Sequence, residues 1–146
     1  MLNTLLIPMD KSILVKKMIK KLPQILELSS NKIIFTHISE PFTPNIYTES
    51  SLSEYHADEK TYRKSCDELA KKLFESYRKI LLPYPDLSFI HIFDADIPRG
   101  ILKVAKQNKV DMIVMASHRY TGINKALLGD KVHKVIVSSK YPVLVV

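Results

Sequence analysis

The residues best suited to chemistry lie in a polar segment between an apolar run and an amphipathic stretch. The apolar run is Asp111–Ala116, the polar residues Ser117–Arg119 follow it, and Gly129–Lys131 stand where helical periodicity begins. A loop between a strand end and a helix start gathers unpaired backbone N–H groups and the positive end of the helix dipole. Because such a loop can hold phosphate, the pattern predicts an anion site here.

A second polar position follows the apolar run Thr4–Met9. This is Asp10, whose carboxylate can accept hydrogen bonds from two hydroxyl groups. If the first and fourth strands are neighbours, Pro8, Met9 and Asp10 lie beside the anion site. In the alternative interpretation Asp10 caps the helix that follows, a role for which Ser12 competes.

Other kinds of site lack a matching pattern in the sequence, and we expect no catalytic residue and no resident metal. Asp94 and Asp96 precede a helix, so capping is favoured over acid–base work. His91 alternates with apolar neighbours in a strand and is expected to face polar surroundings. A nucleophile elbow and a Walker loop are absent. Metal-ligand spacing is also absent among Cys66 and the histidines, which are His37, His56, His91, His118 and His133.

The elements that must position these residues alternate between strands and helices. Apolar, non-alternating runs predict five strands: Thr4–Met9, Lys32–Ile38, Leu87–Phe93, Asp111–Ala116 and Pro142–Val146. Helical periodicity predicts four helices: Ser12–Leu28, Glu54–Leu81, Ile97–Asn108 and Gly129–Val137. Pro23 should kink or interrupt the first helix. Ser39–Ser53 reads as a long loop.

This order predicts an α/β fold, a parallel sheet with helices on both faces. In such sheets ligands bind beyond the carboxyl ends of the strands, where the strand order reverses. The 146 residues predict a single domain over 1–146.

Charge and composition narrow the possible partners. The net charge is +7, but the lysines are spread over several segments without an aromatic-rich basic motif, so solvated helix faces are favoured over a nucleic-acid groove. No apolar run approaches the length of a membrane span, and we expect no membrane partner. A signal peptide is not evident and Cys66 is the single cysteine, so we expect the cytoplasm.

Several of these segments together resemble the universal stress protein family over nearly the whole chain. The residues that carry the resemblance are Leu6–Asp10, Phe35–Ile38, Asp111–His118, Leu127–Gly129 and Pro142–Val146. The resemblance implies a flavodoxin-like (Rossmann-like) open sheet of strand order 3-2-1-4-5. It also implies a homodimer, often formed by pairing of the last strands, here Pro142–Val146.

The nucleotide-binding branch of that family has a motif of Gly, two residues, Gly, nine residues, then Gly followed by Ser or Thr. Placed on this chain, its positions fall on Ala116, Arg119, Gly129 and Asp130, so the spacing is kept and three residue types change. The Ala-Ser-His-Arg sequence that begins at Ala116 is similar to a nucleotide-binding subgroup.

The resemblance implies an ATP or other adenine-nucleotide site, with Mg²⁺ as a possible companion. Asp10 would contact the ribose or adenosine, and the Ile38 backbone would read the adenine edge. The implied site comprises Pro8, Met9, Asp10, Ile38, Met115, Ala116, Ser117, His118, Arg119, Gly129, Asp130 and Lys131.

Asp130 is the main departure from the motif. A Ser or Thr there would donate a hydroxyl to phosphate, whereas Asp offers only acceptors and a negative charge. Lys131 or Arg119 could offset that charge. Three functions therefore stay open: a stress-response sensor or signalling module that binds adenine nucleotide, a nucleotide-free dimeric adaptor, and a slow ATP-hydrolysing enzyme.

Overall fold

A computed structural model describes residues 2–27, 31–43, 58–83, 86–117 and 129–146. Five parallel strands form one sheet of order β3-β2-β1-β4-β5. The strands are β1 (Thr4–Pro8), β2 (Lys32–Ser39), β3 (Leu87–Phe93), β4 (Met112–Met115) and β5 (Val143–Val145). The helices are α1 (Ile13–Ile25), α2 (Glu59–Arg78), α3 (Ile97–Gln107) and α4 (Asp130–Ser138). The predicted α/β class and strand order are confirmed.

The central strand β1 is apolar on both sides because helices cover both faces of the sheet. Leu5 and Ile7 pack with α1 and α2, together with Phe35 of β2. Leu6 faces the opposite way and packs with α3 and α4. All three β1 residues are 0% exposed, which explains why this strand lacks a polar alternation.

One carboxylate ties β1 to the distant β4. Asp111, just before β4, accepts hydrogen bonds from the backbone N–H groups of Asn3 (2.9 Å) and Thr4 (2.8 Å). These two bonds lower the pKa of the Asp111 carboxyl group. They set the register in which Leu5 pairs with Met112.

Short polar side chains begin three of the helices. Ser12 caps α1, Asp58 caps α2 and Asp96 caps α3, each accepting a hydrogen bond from a backbone N–H of the first turn. Asp94 accepts a hydrogen bond from the Asp96 N–H and pairs with Arg99. The predicted capping role is therefore confirmed for Asp96, whereas Asp94 holds the turn before α3 and does not cap the helix.

Helices α1 and α2 differ most from their predicted bounds, and α2 ends at Arg78 instead of the predicted Leu81. Helix α1 runs through Pro23 and ends at Ile25; because Pro23 lies in the last turn and is exposed, its missing N–H removes one bond close to the helix end. Helix α2 begins at Glu59 because Asp58 accepts the Thr61 N–H at 2.8 Å. The predicted loop from residue 44 and the predicted helical residues 54–57 lie outside the described residues.

Candidate functional site

A cavity of about 380 Å³ lies at the carboxyl ends of β1, β2 and β4. The strand order reverses at β1, where the chain departs to β2 on one side and returns to β4 on the other. The cavity is lined by Pro8, Met9, Asp10, Val15, Thr36, His37, Ile38, Ile97, Ile101, Met115, Ala116, Gly129, Asp130, Lys131 and Val132.

Most of the residues implied by the resemblance lie together in this cavity. Those that line it are Pro8, Met9, Asp10, Ile38, Met115, Ala116, Gly129, Asp130 and Lys131. Ser117 is not among the lining residues; its backbone N–H donates to the Val146 carbonyl at 3.0 Å. His118 and Arg119 lie outside the described residues.

Six further lining residues escaped the sequence reasoning: Val15, Thr36, His37, Ile97, Ile101 and Val132. Ile97 and Ile101 are one turn apart at the start of α3, which follows the carboxyl end of β3. A residue that follows the carboxyl end of a predicted strand could have been expected to line the site. The same reasoning applies to Thr36 and His37, which lie near the carboxyl end of β2.

The walls of the cavity are mainly apolar. Ile38 is 6% exposed and Met115 is 7% exposed, and both belong to the core beneath α3 and α4. Ile97, Ile101 and Val132 complete this side. An apolar slot with polar groups at one end can take a flat heteroaromatic ring whose polar substituents point outward.

Asp10 holds the turn between β1 and α1. Its Oδ1 accepts the backbone N–H of Ser12 at 2.7 Å, while the Ser12 Oγ accepts the N–H of Leu14 at 3.1 Å. Ser12 is therefore the helix cap, and the alternative in which Asp10 caps α1 is wrong. Oδ2 of Asp10 has no hydrogen bond in the described parts of the chain, so it can accept one from a ligand.

Asp130 is the first residue of α4 and its side chain is 78% exposed. Gly129 precedes it as the N-cap and supplies no side-chain cap. The Oδ2 of Asp130 lies 3.0 Å from Nζ of Lys134, one turn along the helix. Lys131 and Arg119 are the offsetting charges that the sequence offers, and the structure adds Lys134, whose i,i+4 spacing from Asp130 could have indicated the pair.

His37 anchors the ends of β1 and β2 to each other. Its Nδ1–H donates to the Met9 carbonyl at 2.9 Å, and the Met9 N–H donates to the Thr36 carbonyl at 2.7 Å. Burial lowers the pKa of the His37 imidazole, with the Met9 hydrogen bond acting in the opposite direction. The imidazole is therefore neutral near pH 7, and Asp10, Asp130 and Lys131 are the charged side chains among the described lining residues.

Thr36 carries an orphan hydroxyl. The residue lines the cavity and is 0% exposed, and its Oγ1 has no hydrogen-bond partner among the described residues. A buried hydroxyl that stays unpaired destabilises the fold, so this side chain lowers stability unless a ligand in the cavity bonds to it.

A second polar cluster lies on the α2 face of the sheet. His91 Nδ1 lies 2.5 Å from Asp67 Oδ1, and its Nε2 lies 2.8 Å from Ser39 Oγ. The expectation that His91 faces polar surroundings agrees with these contacts. Among the described residues, no group of three His, Cys, Asp or Glu side chains could hold a metal ion.

Similarity to known proteins extends over the whole chain. The profile of the universal stress protein family matches residues 1–146. Universal stress protein MJ0577 from Methanocaldococcus jannaschii is 46% identical over 46 residues, which are 32% of this chain and 28% of MJ0577. The solved structure of MJ0577 superposes with a TM-score of 0.75 at 26% identity, covering 100% of this chain and 96% of that one.

Two further solved structures are similar in fold. A universal stress protein described as being in complex with cAMP has a TM-score of 0.66 at 18% identity, covering 99% of this chain and 97% of the other. The universal stress protein from Archaeoglobus fulgidus, described as a complex with dAMP, has a TM-score of 0.63 at 14% identity and covers 98% and 96%. Within the described ranges, no helix has the length and apolarity needed to cross a bilayer.

Proposed function

The chain belongs to the universal stress protein family, and from that premise we propose that it binds an adenine nucleotide at the β1/β4 switch point as a stress-response sensor or signalling module. In this proposal the whole of 1–146 acts as one domain. It works as a homodimer in the cytoplasm, where a free thiol such as that of Cys66 is stable.

The observation that carries the proposal is the cavity between the ends of β1, β2 and β4 and the start of α4. Its volume of about 380 Å³ is in the range of small-molecule sites. Its apolar walls suit a purine, and the first backbone N–H groups of α4 have no acceptor within the helix. The relatives described as cAMP and dAMP complexes support the same ligand class.

Each part of the cavity has a role in the proposal. Ile38, Ile97, Ile101 and Met115 enclose the adenine ring, and the main chain of Ile38 reads its edge. Oδ2 of Asp10 accepts a ribose hydroxyl. Gly129 and Lys131 bind phosphate, with Ser117, His118 and Arg119 contributing from the preceding loop. Mg²⁺ would enter with a triphosphate, bound to phosphate oxygens.

The pairing of Asp130 with Lys134 supports phosphate binding despite the acidic residue. A carboxylate bonded to an ammonium group along α4 presents less negative charge to the helix N-terminus than a free one. Because both side chains are more than half exposed, solvent weakens this pair. The rival function is a nucleotide-free dimeric adaptor, favoured by the exposed carboxylate at the helix start.

The proposed dimer contact is the edge strand β5 with its flanking residues Pro142–Val146. Val143, Leu144 and Val145 are only half-buried in the single chain. An apolar edge strand has unpaired backbone groups that a second copy can satisfy. Sedimentation of the wild-type protein and of a Leu144→Lys variant tests this contact. The proposal predicts that the wild type is a dimer and that the variant is a monomer.

Calorimetric titration tests the nucleotide site. ATP with Mg²⁺, and AMP alone, are added to the wild-type protein, to Asp130→Ser and to the matched control Asp86→Ser, whose exposed carboxylate lies outside the cavity. Micromolar binding to the wild type and to the control supports the proposal. Binding to Asp130→Ser alone supports the adaptor. No binding to any variant shows that the cavity does not take adenine nucleotides.

A further inference from the structure

The exposed side of α1 carries a dense group of lysines. Lys16, Lys17, Lys20 and Lys21 lie in this helix and Lys11 precedes it, and all five are exposed. No Asp or Glu occurs between Lys11 and Ile25. We call the four helical lysines together with Ile13 the α1 basic face.

Some basic side chains of the other helices are paired with carboxylates, whereas those of α1 are not paired within the described part of the chain. Arg63 pairs with Glu59 and Arg78 with Glu75 in α2, and Lys134 pairs with Asp130 in α4. None of the α1 lysines forms an ion pair with another described residue. Lys16–Lys20 and Lys17–Lys21 are like-charged neighbours one turn apart, which destabilises a helix slightly. Fold stability therefore does not account for the arrangement.

An apolar side chain lies within the positive charge. Ile13 is 63% exposed and shares a stripe with Lys17 and Lys20, at spacings of four and seven residues. The opposite side of α1 is occupied by Val15, Met18, Ile19 and Leu22, which are buried against the sheet. Ile13 therefore does not contribute to the core.

We propose that the α1 basic face binds the surface of a bilayer that contains anionic lipid. Lysines are flexible point charges that suit a diffuse negative surface, whereas arginines suit the fixed geometry of discrete phosphate or carboxylate groups. Anionic headgroups attract juxtamembrane lysines, and the apolar layer beneath them accepts an exposed isoleucine. A nucleic-acid backbone would match the charge but would offer nothing to Ile13.

This association differs from membrane insertion. The expectation of no membrane partner was drawn from the lack of a long apolar run, which concerns a span and not a surface contact. Binding at the surface depends on charge and on the salt concentration, since it weakens beyond the Debye length.

Vesicle co-sedimentation tests the proposal. The wild-type protein is mixed with vesicles of phosphatidylcholine alone, or with about one-third phosphatidylglycerol, at low and high salt. The test variant is Lys17→Glu/Lys20→Glu. The matched control is Lys103→Glu/Lys106→Glu, which changes the net charge equally at two exposed positions of α3. Ile13→Gln tests the apolar contribution, and thermal melts establish that each variant is folded.

The proposal predicts that the wild type binds only the anionic vesicles and is released by salt. The α1 variant should bind at least about tenfold more weakly, the α3 control within about threefold of wild type, and Ile13→Gln several-fold more weakly. Equal losses in the α1 and α3 variants would mean that only net charge matters and would overturn the proposal. Lack of binding to anionic vesicles, or tighter α1-dependent binding to mixed-sequence duplex DNA, would also overturn it.

Discussion

The phenol of Tyr77 donates a 2.6 Å hydrogen bond to the main-chain carbonyl of Asp10. Tyr77 lies near the end of α2 and is 4% exposed. Helix α2 contributes no lining residue, yet through this bond it holds Asp10, which lines the cavity. Burial raises the pKa of the Tyr77 phenol, and the Asp10 carboxylate adds to the increase, so the hydroxyl stays protonated and able to donate.

Replacing Tyr77 with Phe removes that hydrogen bond and keeps the ring. We expect the free energy of unfolding to fall by about 1 kcal/mol. Affinity for adenine nucleotide should fall several-fold because the Asp10 turn loosens. The control is Tyr141→Phe, since the Tyr141 hydroxyl makes no hydrogen bond with the described residues. Urea titration and calorimetry measure both effects, and equal losses in the two variants would contradict the role of the Tyr77–Asp10 bond.

Thr36→Val should stabilise the protein. The substitution keeps the volume and removes the orphan hydroxyl, so the free energy of unfolding should rise by about 1 kcal/mol. Thr36→Ser keeps the hydroxyl and loses a methyl group, so it should lower stability by about 1 kcal/mol. Thermal melts of both variants test whether the melting temperature rises in Thr36→Val and falls in Thr36→Ser. A destabilised Thr36→Val would mean that the hydroxyl has a partner in solution.

His37 should make the protein less stable in mild acid. Its folded-state pKa is lowered, so as the pH falls through the unfolded value of about 6.5 the unfolded chain takes up a proton that the folded chain does not. Stability is then lost until the pH falls below the folded-state pKa. His37→Asn keeps an N–H for the Met9 carbonyl and removes the titration, so the slope in this range should flatten.

Urea titrations from neutral to mildly acidic pH measure this slope. The control is His133→Asn, which removes an imidazole at an exposed position of α4. An unchanged slope in His37→Asn would show that another group is responsible.

Asp67→Asn should loosen α2 from the edge of the sheet. The Asp67 carboxylate is about half exposed, whereas the His91 side chain is 7% exposed, so solvent weakens only one end of the bond. The amide oxygen of Asn can still accept the His91 N–H but does so more weakly than a carboxylate, so we expect a loss of about 1 kcal/mol in unfolding free energy. Glu68→Gln changes the adjacent exposed carboxylate and should have little effect. Hydrogen exchange should rise in β3 of Asp67→Asn, and unchanged exchange there would argue against the contact.

Gly100→Ala should distort the cavity although Gly100 does not line it, because the new methyl group would push on Ile38. A Cβ at Gly100 would lie 2.8 Å from Cγ2 of Ile38 and 3.2 Å from Cβ of Asp94, which is too close without movement. We expect a loss of about 1–3 kcal/mol from overpacking, offset by about 1 kcal/mol of helix propensity. Because Ile38 lines the cavity, nucleotide affinity should fall as well.

A double-mutant cycle with Ile38→Ala isolates the clash. The double variant should lose less stability than the sum of the single variants, because the shortened side chain makes room for the new methyl group. Additive losses would mean that Ile38 is not the obstructing group.

The succession of strands and helices, and the buried helix faces, could be predicted because they depend on periodicity and on local caps. The strand order within the sheet was implied by the family resemblance. The apolar runs around Leu6 and Val114, and the polar residues Ser12 and Asp96, each carry their own signal within a few neighbours. The end of α1 was placed too late because Leu28 continues the apolar spacing after the helix has stopped. The predicted kink or interruption at Pro23 is wrong because a proline in the last turn of a helix removes only one backbone hydrogen bond.

The parts of the site that escaped prediction depend on contacts between distant segments. Asp67 and His91 are 24 residues apart and meet only because α2 packs on β3. The missing partner of the Thr36 hydroxyl can be recognised only when its surroundings are known. The Asp130–Lys134 pair is local, and the family motif drew attention to Lys131 and Arg119 instead.

The hydrogen bonds that Asp111 accepts from the N–H groups of Asn3 and Thr4 close a loop of more than a hundred residues. Such non-local pairing is slow because loop entropy is lost before the contact forms. The cavity needs β1, β4 and the start of α4 at once, so it cannot exist in a nascent chain that has made only the first three strands. Ligand binding would therefore distinguish a molecule that has finished folding from one still in progress.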